Sequence, residues 1–338
     1  MLNGVQGKSQ SPISAIVGPG RSGTTWLGAI VDSSPEVIYR FEPFRRLAAR
    51  APEFRRLFDR LKRKEVGEGD LADVYSMLLP ASPHTNKPPF FPDKSYALRM
   101  AGRRQLWPLA RTMGPFERLY EALYSPPSGP PIVFKEVTFV RPLQNLMERT
   151  SVPLVYLIRH PCATVMSDVS GQVNGKMPSQ RQLSLGEILA EHAPQMAAQF
   201  EHIVRGNDVI ARTALLWRFE IESCVPPVEK SVKGMVLTYE QLADDPEAQV
   251  ARVFAHLGLS VSSQTTLFIQ GLLQLNTEHR RGPKRTGFAD RYFSIYRNPR
   301  SEKDAWKAKI SREDRRKIET IMEDSQVVAN CARLGGWN

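Results

Sequence analysis

The sequence predicts one α/β domain over residues 1–338, with a central parallel sheet of about five strands and helices on both faces, in three layers. Two patterns carry this prediction. Five short runs of β-branched and aromatic residues are nearly continuous in apolar character rather than alternating, as strands covered on both sides are. Segments of helical periodicity lie between and after them, and a repeated strand-then-helix order closes as parallel pairs with helices on either side. A chain of 338 residues, 41% hydrophobic and 24% charged, has the material to bury a sizeable core.

In chain order, residues 13–17 read as the first strand and 24–31 as a helix, with a glycine-rich turn between them. Residues 37–41 are the second strand and 53–64 a helix. Residues 71–131 are rich in Pro and Gly and carry loose aromatics, so they read as an insertion over the sheet rather than a linker. Strands at 132–139 and 154–158 precede helices at 141–149 and 163–169, and further helices follow at 185–205 and 208–223. The last strand, 234–239, leads to helices at 246–257 and 311–323. Between these two helices, residues 277–309 are basic and poor in apolar periodicity, the pattern of a long loop that orders on a ligand. No internal repeat is present.

The 46 Lys and Arg outnumber 35 Asp and Glu to give +11, which favours an anionic partner: a nucleotide, a sulfated or phosphorylated acceptor, nucleic acid or an anionic membrane. No RNA- or DNA-binding motif accompanies the charge, so no nucleic acid is expected. Cys162, Cys224 and Cys331 are far apart and lack CxxC or Cys/His spacing. They indicate neither a disulfide framework nor a zinc site, and a reducing compartment is the expectation. The opening MLNGVQGKSQSPISAIV lacks a basic start followed by an apolar run, and nowhere does an apolar stretch reach membrane-spanning length. A chain that is neither secreted nor anchored, soluble and cytoplasmic, is therefore expected; a Golgi-lumenal chain trimmed of its leader would read the same.

The turn Gly18-Pro-Gly-Arg-Ser-Gly23-Thr-Thr has the glycine spacing of GxxxxGK[ST], after a strand and before a helix, so the fold reads as P-loop-like. Glycines let successive backbone N–H groups face an anion, and the helix adds its N-terminal dipole. Thr24 stands where the loop lysine belongs. A nucleoside triphosphatase also needs an acid at the end of a neighbouring strand to hold magnesium. Strand 154–158 runs instead into Arg159-His160-Pro161, which favours a second phosphate held by protein cations alone, with no metal.

These residues resemble the sulfotransferase superfamily that uses 3′-phosphoadenosine-5′-phosphosulfate (PAPS). The first shared element is Pro19-Gly20-Arg21-Ser22-Gly23-Thr24-Thr25-Trp26-Leu27; the second is a strand ending in Arg159 with Ser167 eight residues on. A third is Tyr239-Glu240-Gln241-Leu242 followed by Asp245-Pro246, and Trp306, SREDRRKIE and LGGW resemble the family's ending. The resemblance implies that Gly20, Arg21, Ser22, Gly23, Thr24 and Thr25 surround the 5′-phosphosulfate, and that Arg159 and Ser167 clasp the 3′-phosphate. Trp26 then stacks on adenine or fills the core where helix meets sheet, and Tyr239 lies near the adenosine. Within the basic segment, HRRG and YRNPRSEK are both candidates to cover the nucleotide, with Arg297 and Lys303 chosen.

The family's chemistry is in-line transfer with charge building on the bridging oxygen of the leaving nucleotide. Arg21 stands where many members carry a lysine; a guanidinium stays charged, so it would stabilise that oxygen without donating a proton. Lys135 is the other candidate cation. Glu42 is the expected base, because carbohydrate and protein-tyrosine members place a glutamate here, whereas phenol and steroid members use a histidine in K-x-H. Residues 134–138, FKEVT, contain no histidine, so the chain resembles the glutamate type. Glu136 is the fallback base, His160 reads as structural or as an adjunct to the 3′-phosphate, and His84 as a contact to acceptor. The expected partner is a small-molecule or glycan acceptor with a free hydroxyl, set between the insertion, residues 172–199 and Glu42. A P-loop kinase or triphosphatase, and a non-enzymatic basic module binding glycan or nucleic acid, are the alternatives; the oligomeric state is open.

Overall fold

The computed structural model describes residues 12–95, 101–126, 129–175, 184–275 and 295–337. Its sheet has five strands: β1 (Ile13–Gly18), β2 (Ile38–Phe41), β3 (Ile132–Val137), β4 (Leu154–Ile158) and β5 (Gly234–Thr238). They lie in the order β2-β3-β1-β4-β5 and every pair is parallel. Register on β1 is set from both sides, Ala15 opposite Phe134 of β3 and opposite Leu154 of β4. All six residues of β1 and all five of β4 are buried, which explains their unbroken apolar character.

Alternation along β1 feeds two cores. Ile13, Ala15 and Val17 pack with Phe44, Leu143, Leu215 and Trp217 on one face, and Ile16 packs with Leu27, Ile30, Leu242 and Phe254 on the other. The chain leaves β1 toward β2, yet leaves β3 for β4 on the opposite flank, so the winding direction reverses beside β1. Ligands of open α/β sheets bind outside the carboxyl ends of strands at such a point. The loop after Gly18 and the turn after Ile158 meet there.

The five strands match the expected runs to within two residues at each end. The run at 132–139 stops at Val137 because Thr138 turns to φ 59° and Phe139 caps the helix Val140–Arg149. Helix 208–223 continues through Pro226 and Pro227 to Glu229. The expected helix 185–205 is instead three pieces, Leu185–His192, Pro194–Gln199 and Glu201–Arg205: Pro194 cannot continue the first, and Phe200 leaves helical backbone geometry between the others.

The insertion is more regular than its composition suggests. It holds the helices Leu71–Leu78, Arg103–Ala110 and Gly114–Tyr124, and a small core of Ala81, Ala110, Tyr120 and Tyr124. Lys94 ties it to the sheet, its Nζ donating to the carbonyls of Asp32, Ser34 and Val37 and to Asp32 Oδ1. Pro43–Ala48, Ser263–Leu273 and Gln326–Gly335 are further helices that periodicity did not expose. The HRRG segment lies outside the described residues, whereas YRNPRSEK leads into the helix Pro299–Asp304. Among the described residues no helix is long and apolar enough to cross a membrane.

Candidate active site

The loop between β1 and the helix Thr24–Asp32 is shaped by two glycines. A Cβ on Gly18 would stand 2.2 Å from the carbonyl oxygen of Leu157, so only glycine lets β1 end this close to β4. Gly23 has φ +96° and would bring a Cβ to 2.5 Å from the Tyr239 ring. Gly23 caps the helix without a side chain, leaving first-turn N–H groups directed at the crevice. Ser22 is fully buried and its hydroxyl donates to the Pro19 carbonyl at 2.8 Å, so its side chain braces the turn rather than facing a ligand. Thr24 is 3% exposed, while Thr25 lines the open cleft beside the loop.

Arg21 is held in the left-handed region, φ 69°, and its Nε donates to Ser167 Oγ at 2.9 Å. The loop after β1 and the helix Pro161–Val173 after β4 are thus joined side chain to side chain. Arg159, at the end of β4, lies with its guanidinium 4.3 Å from the Tyr239 ring centroid and donates from Nη2 to the Glu302 carbonyl at 2.6 Å. Its Nε is buried with no hydrogen-bond partner among the described residues, an orphaned donor that a phosphate oxygen would satisfy.

Trp26 takes the core place that the sequence left open: it is 7% exposed and meets Tyr239 edge-on, 5.4 Å between ring centres. Burial lifts the Tyr239 phenol to about 12, and its hydroxyl donates to the Pro299 carbonyl. Helix Pro299–Asp304 therefore lies against both Tyr239 and Arg159. Of the two cations expected here, Arg297 pairs with Glu302 at 2.9 Å and Lys303 with Asp244. His160 stacks on Trp306 at 4.4 Å and its Nδ1 accepts from the Cys162 N–H. Burial, aided by Arg315, lowers its pKa to about 4, so it is a neutral packing element. Glu240 completes this clasp, accepting from His160 N and from the Trp337 indole.

At the ends of β2 and β3 lies a buried ionic cluster. Glu42 caps the helix Pro43–Ala48 in left-handed geometry, φ 49°. Its Oε1 accepts from Lys135 Nζ at 2.8 Å, and its Oε2 lies 2.7 Å from Arg45 and 3.3 Å from Arg46. Burial opposes its charge, but Lys135 and Arg45 overcome it and hold the carboxyl at about 2. Glu136 points the other way, as alternation along β3 requires, and its Oε1 accepts from the N–H groups of Phe44 and Arg45. Burial, then the charge of Glu42, pushes its carboxyl up to about 8.

Lys87, which no local signal marked, enters from the insertion and lines a cleft with Thr25, Tyr39, Phe41 and Ile295. Its Nζ stands 4.5 Å from the Phe41 ring centre, and burial followed by Lys135 lowers it to about 8. His84 stands 3.4 Å from Glu117 in the same insertion.

Three comparisons with known proteins bear on this geometry. The sequence profile of the sulfotransferase family matches residues 12–263. Among solved structures, the sulfotransferase domain from the curacin biosynthetic pathway is 13% identical, with 94% of this chain and 99% of that one covered at a TM-score of 0.46. Mouse sulfotransferase SULT7A1 complexed with PAP is 11% identical, covering 97% and 90% at a TM-score of 0.43. Retinol dehydratase in complex with androsterone and inactive cofactor PAP is 16% identical, covering 93% and 80% at 0.41. No curated protein sequence matches the chain.

Proposed function

Because the chain belongs to the sulfotransferase family, its profile spanning residues 12–263, we propose that it moves a sulfuryl group from PAPS to a hydroxyl of a carbohydrate acceptor, without a metal ion. The observation that carries this reading is the Arg21–Ser167 bond, taken with the orphaned Nε of Arg159 at the end of β4. It supports two anion positions at once, one in the loop after β1 and one between Arg159 and Ser167, as a nucleotide phosphorylated at both ends requires. Gly20, Gly23, Thr24 and Thr25 belong to the first position. Helix Pro299–Asp304, against Tyr239 and Arg159, covers the nucleotide, and the insertion forms the acceptor side.

In the transfer, the acceptor oxygen bonds to sulfur while the bond from sulfur to the 5′-phosphate oxygen breaks. The electron pair passes to that oxygen, released on 3′,5′-bisphosphate. Arg21 and Lys135 offset the charge that builds there, each such donor being worth about 3 kcal/mol. The acceptor proton goes to Glu42. A carboxylate held near 2 is a weak base toward a free hydroxyl, but a hydroxyl becomes strongly acidic as its oxygen bonds to sulfur, so proton transfer follows bond formation. Glu136, facing the helix N–H groups rather than Lys135, is a poor substitute.

The full chain incubated with labelled PAPS and a panel of glycans should release 3′,5′-bisphosphate and label a glycan. In parallel, thermal shift should show stabilisation by 3′,5′-bisphosphate and none by ATP with magnesium. Failure of the bisphosphate to bind, together with no labelled product, would overturn the reading, and a response to ATP with magnesium alone would replace it with a triphosphatase.

A further inference from the structure

Cations outnumber acids where the insertion meets the cluster around Glu42. Three surround one phenyl ring: the Arg46 guanidinium at 4.7 Å, Lys87 Nζ at 4.5 Å and Lys135 Nζ at 4.7 Å from the Phe41 centre. Further out, the Arg111 guanidinium lies 4.8 Å from the Trp107 ring centre, where burial first, and then Arg46 and Arg50, depress its proton affinity. The same three arginines depress that of His84, again after burial. Among the described residues three acids stand near these groups, and one of them, Glu136, is pushed up to about 8 by burial and the charge of Glu42. Glu42 is already shared by Lys135, Arg45 and Arg46, and Glu117 lies 3.4 Å from His84 Nε2 and 3.8 Å from Arg50.

Arg46 Nε is buried without a hydrogen-bond partner among the described residues, and His84 Nε2, also buried, makes no hydrogen bond there although the Glu117 carboxylate lies 3.4 Å away. An orphaned buried donor costs free energy until something accepts from it. Arginines cannot discharge to relieve their repulsion, and an oxyanion matches their forked geometry. Arg46 also reaches Glu42, so an anion held here would be part of the same molecule that presents its hydroxyl to that carboxylate.

We infer that Arg46, Arg50, His84 and Arg111 form a subsite for an oxyanion of the acceptor, so that the substrate is an anionic hydroxyl compound bearing a carboxylate, sulfate or phosphate group. This rests on the sulfotransferase reading of the site. The subsite is assembled from three stretches, the helix Pro43–Ala48 with the turn after it, the chain before Lys87, and the end of the helix Arg103–Ala110. It gives the insertion a task that Glu42 and the nucleotide loop do not cover.

The test uses the full chain saturated with 3′,5′-bisphosphate, so that added anions cannot take the nucleotide's place. The imidazole resonance of His84 is assigned by its loss in His84→Gln and titrated with pH, replacing chloride by inorganic sulfate at constant ionic strength. An opposite charge in contact should raise the His84 midpoint by about one pH unit. Arg111→Gln should abolish that rise and Arg111→Lys keep part of it. Parallel titrations with glucuronate and inorganic phosphate rank carboxylate and phosphate against sulfate. A midpoint unmoved by all three anions, or a rise that persists undiminished in Arg111→Gln, overturns the inference while leaving the sulfotransferase reading intact. If the bisphosphate itself does not bind, that reading falls and the assignment of the anion to an acceptor falls with it.

Discussion

Glu42 shows at the residue scale how burial and partners together set chemistry. Its Oε1 is taken by the buried Lys135, which depends on it in turn, and its Oε2 by the more exposed Arg45 and Arg46. Removing one side of a buried ion pair costs about 3–5 kcal/mol, so Glu42→Gln should destabilise the fold as well as lower kcat on the order of 10²- to 10⁴-fold. Glu42→Gln combined with Lys135→Met should recover most of the stability, read by denaturant unfolding, and none of the turnover. At the nucleotide end, Ser167→Ala removes the acceptor of Arg21 Nε. A hydrogen bond to a charged group is worth about 1.5 kcal/mol, so calorimetry should show bisphosphate binding weakened about tenfold. Arg21, Glu42, Lys135, Arg159 and Ser167 were all legible as candidates in local motifs. Their pairing was not: Arg21 and Ser167 meet only because β1 and β4 are neighbours. Arg46 was legible only as a salt-bridge partner of Glu42 four residues before it, whereas Lys87, Arg50 and Arg111 carried no sequence signal, since each acquires its surroundings from a distant stretch.

The element with least freedom is the glycine loop. Gly23→Ala must distort either the left-handed turn or the Tyr239 ring, a strain on the order of 1–3 kcal/mol. A lowered Tm and weaker bisphosphate binding are expected, and Gly20→Ala, whose Cβ would meet nothing within 4 Å, should leave Tm unaltered. The five strands were readable because both-face burial imposes a continuous apolar run. The helices of the insertion were not, because prolines and glycines interrupt the pattern while Tyr120, Tyr124 and Lys94 supply the packing that holds them. Arg297 and Lys303 were read from a basic segment that resembles the family's cofactor loop, and their pairing with Glu302 and Asp244 was not legible because it depends on the fold.

Across the whole molecule, the end of the chain is fastened to the nucleotide side of the sheet through His160, Trp306, Trp337 and Glu240. His160 is kept neutral, with a folded pKa of about 4 against an ordinary value of 6.5. The folded state therefore binds fewer protons than the unfolded one between these values. Stability is fully present above 6.5 and is lost as pH falls toward 4, by about 3 kcal/mol. Unfolding free energies measured across that window should show the loss, and His160→Gln should flatten that part of the curve. The sequence by itself determined the strand order along the chain, the anion loop and the bases at the end of β4, because these follow from local spacing, glycine freedom and continuous burial. Only the tertiary structure decided which charges neutralise one another, which donors are left unpaired, and that the insertion brings a surplus of cations to Glu42. Coulomb forces and hydrogen bonds depend on distance through space, and distance along the chain does not report it.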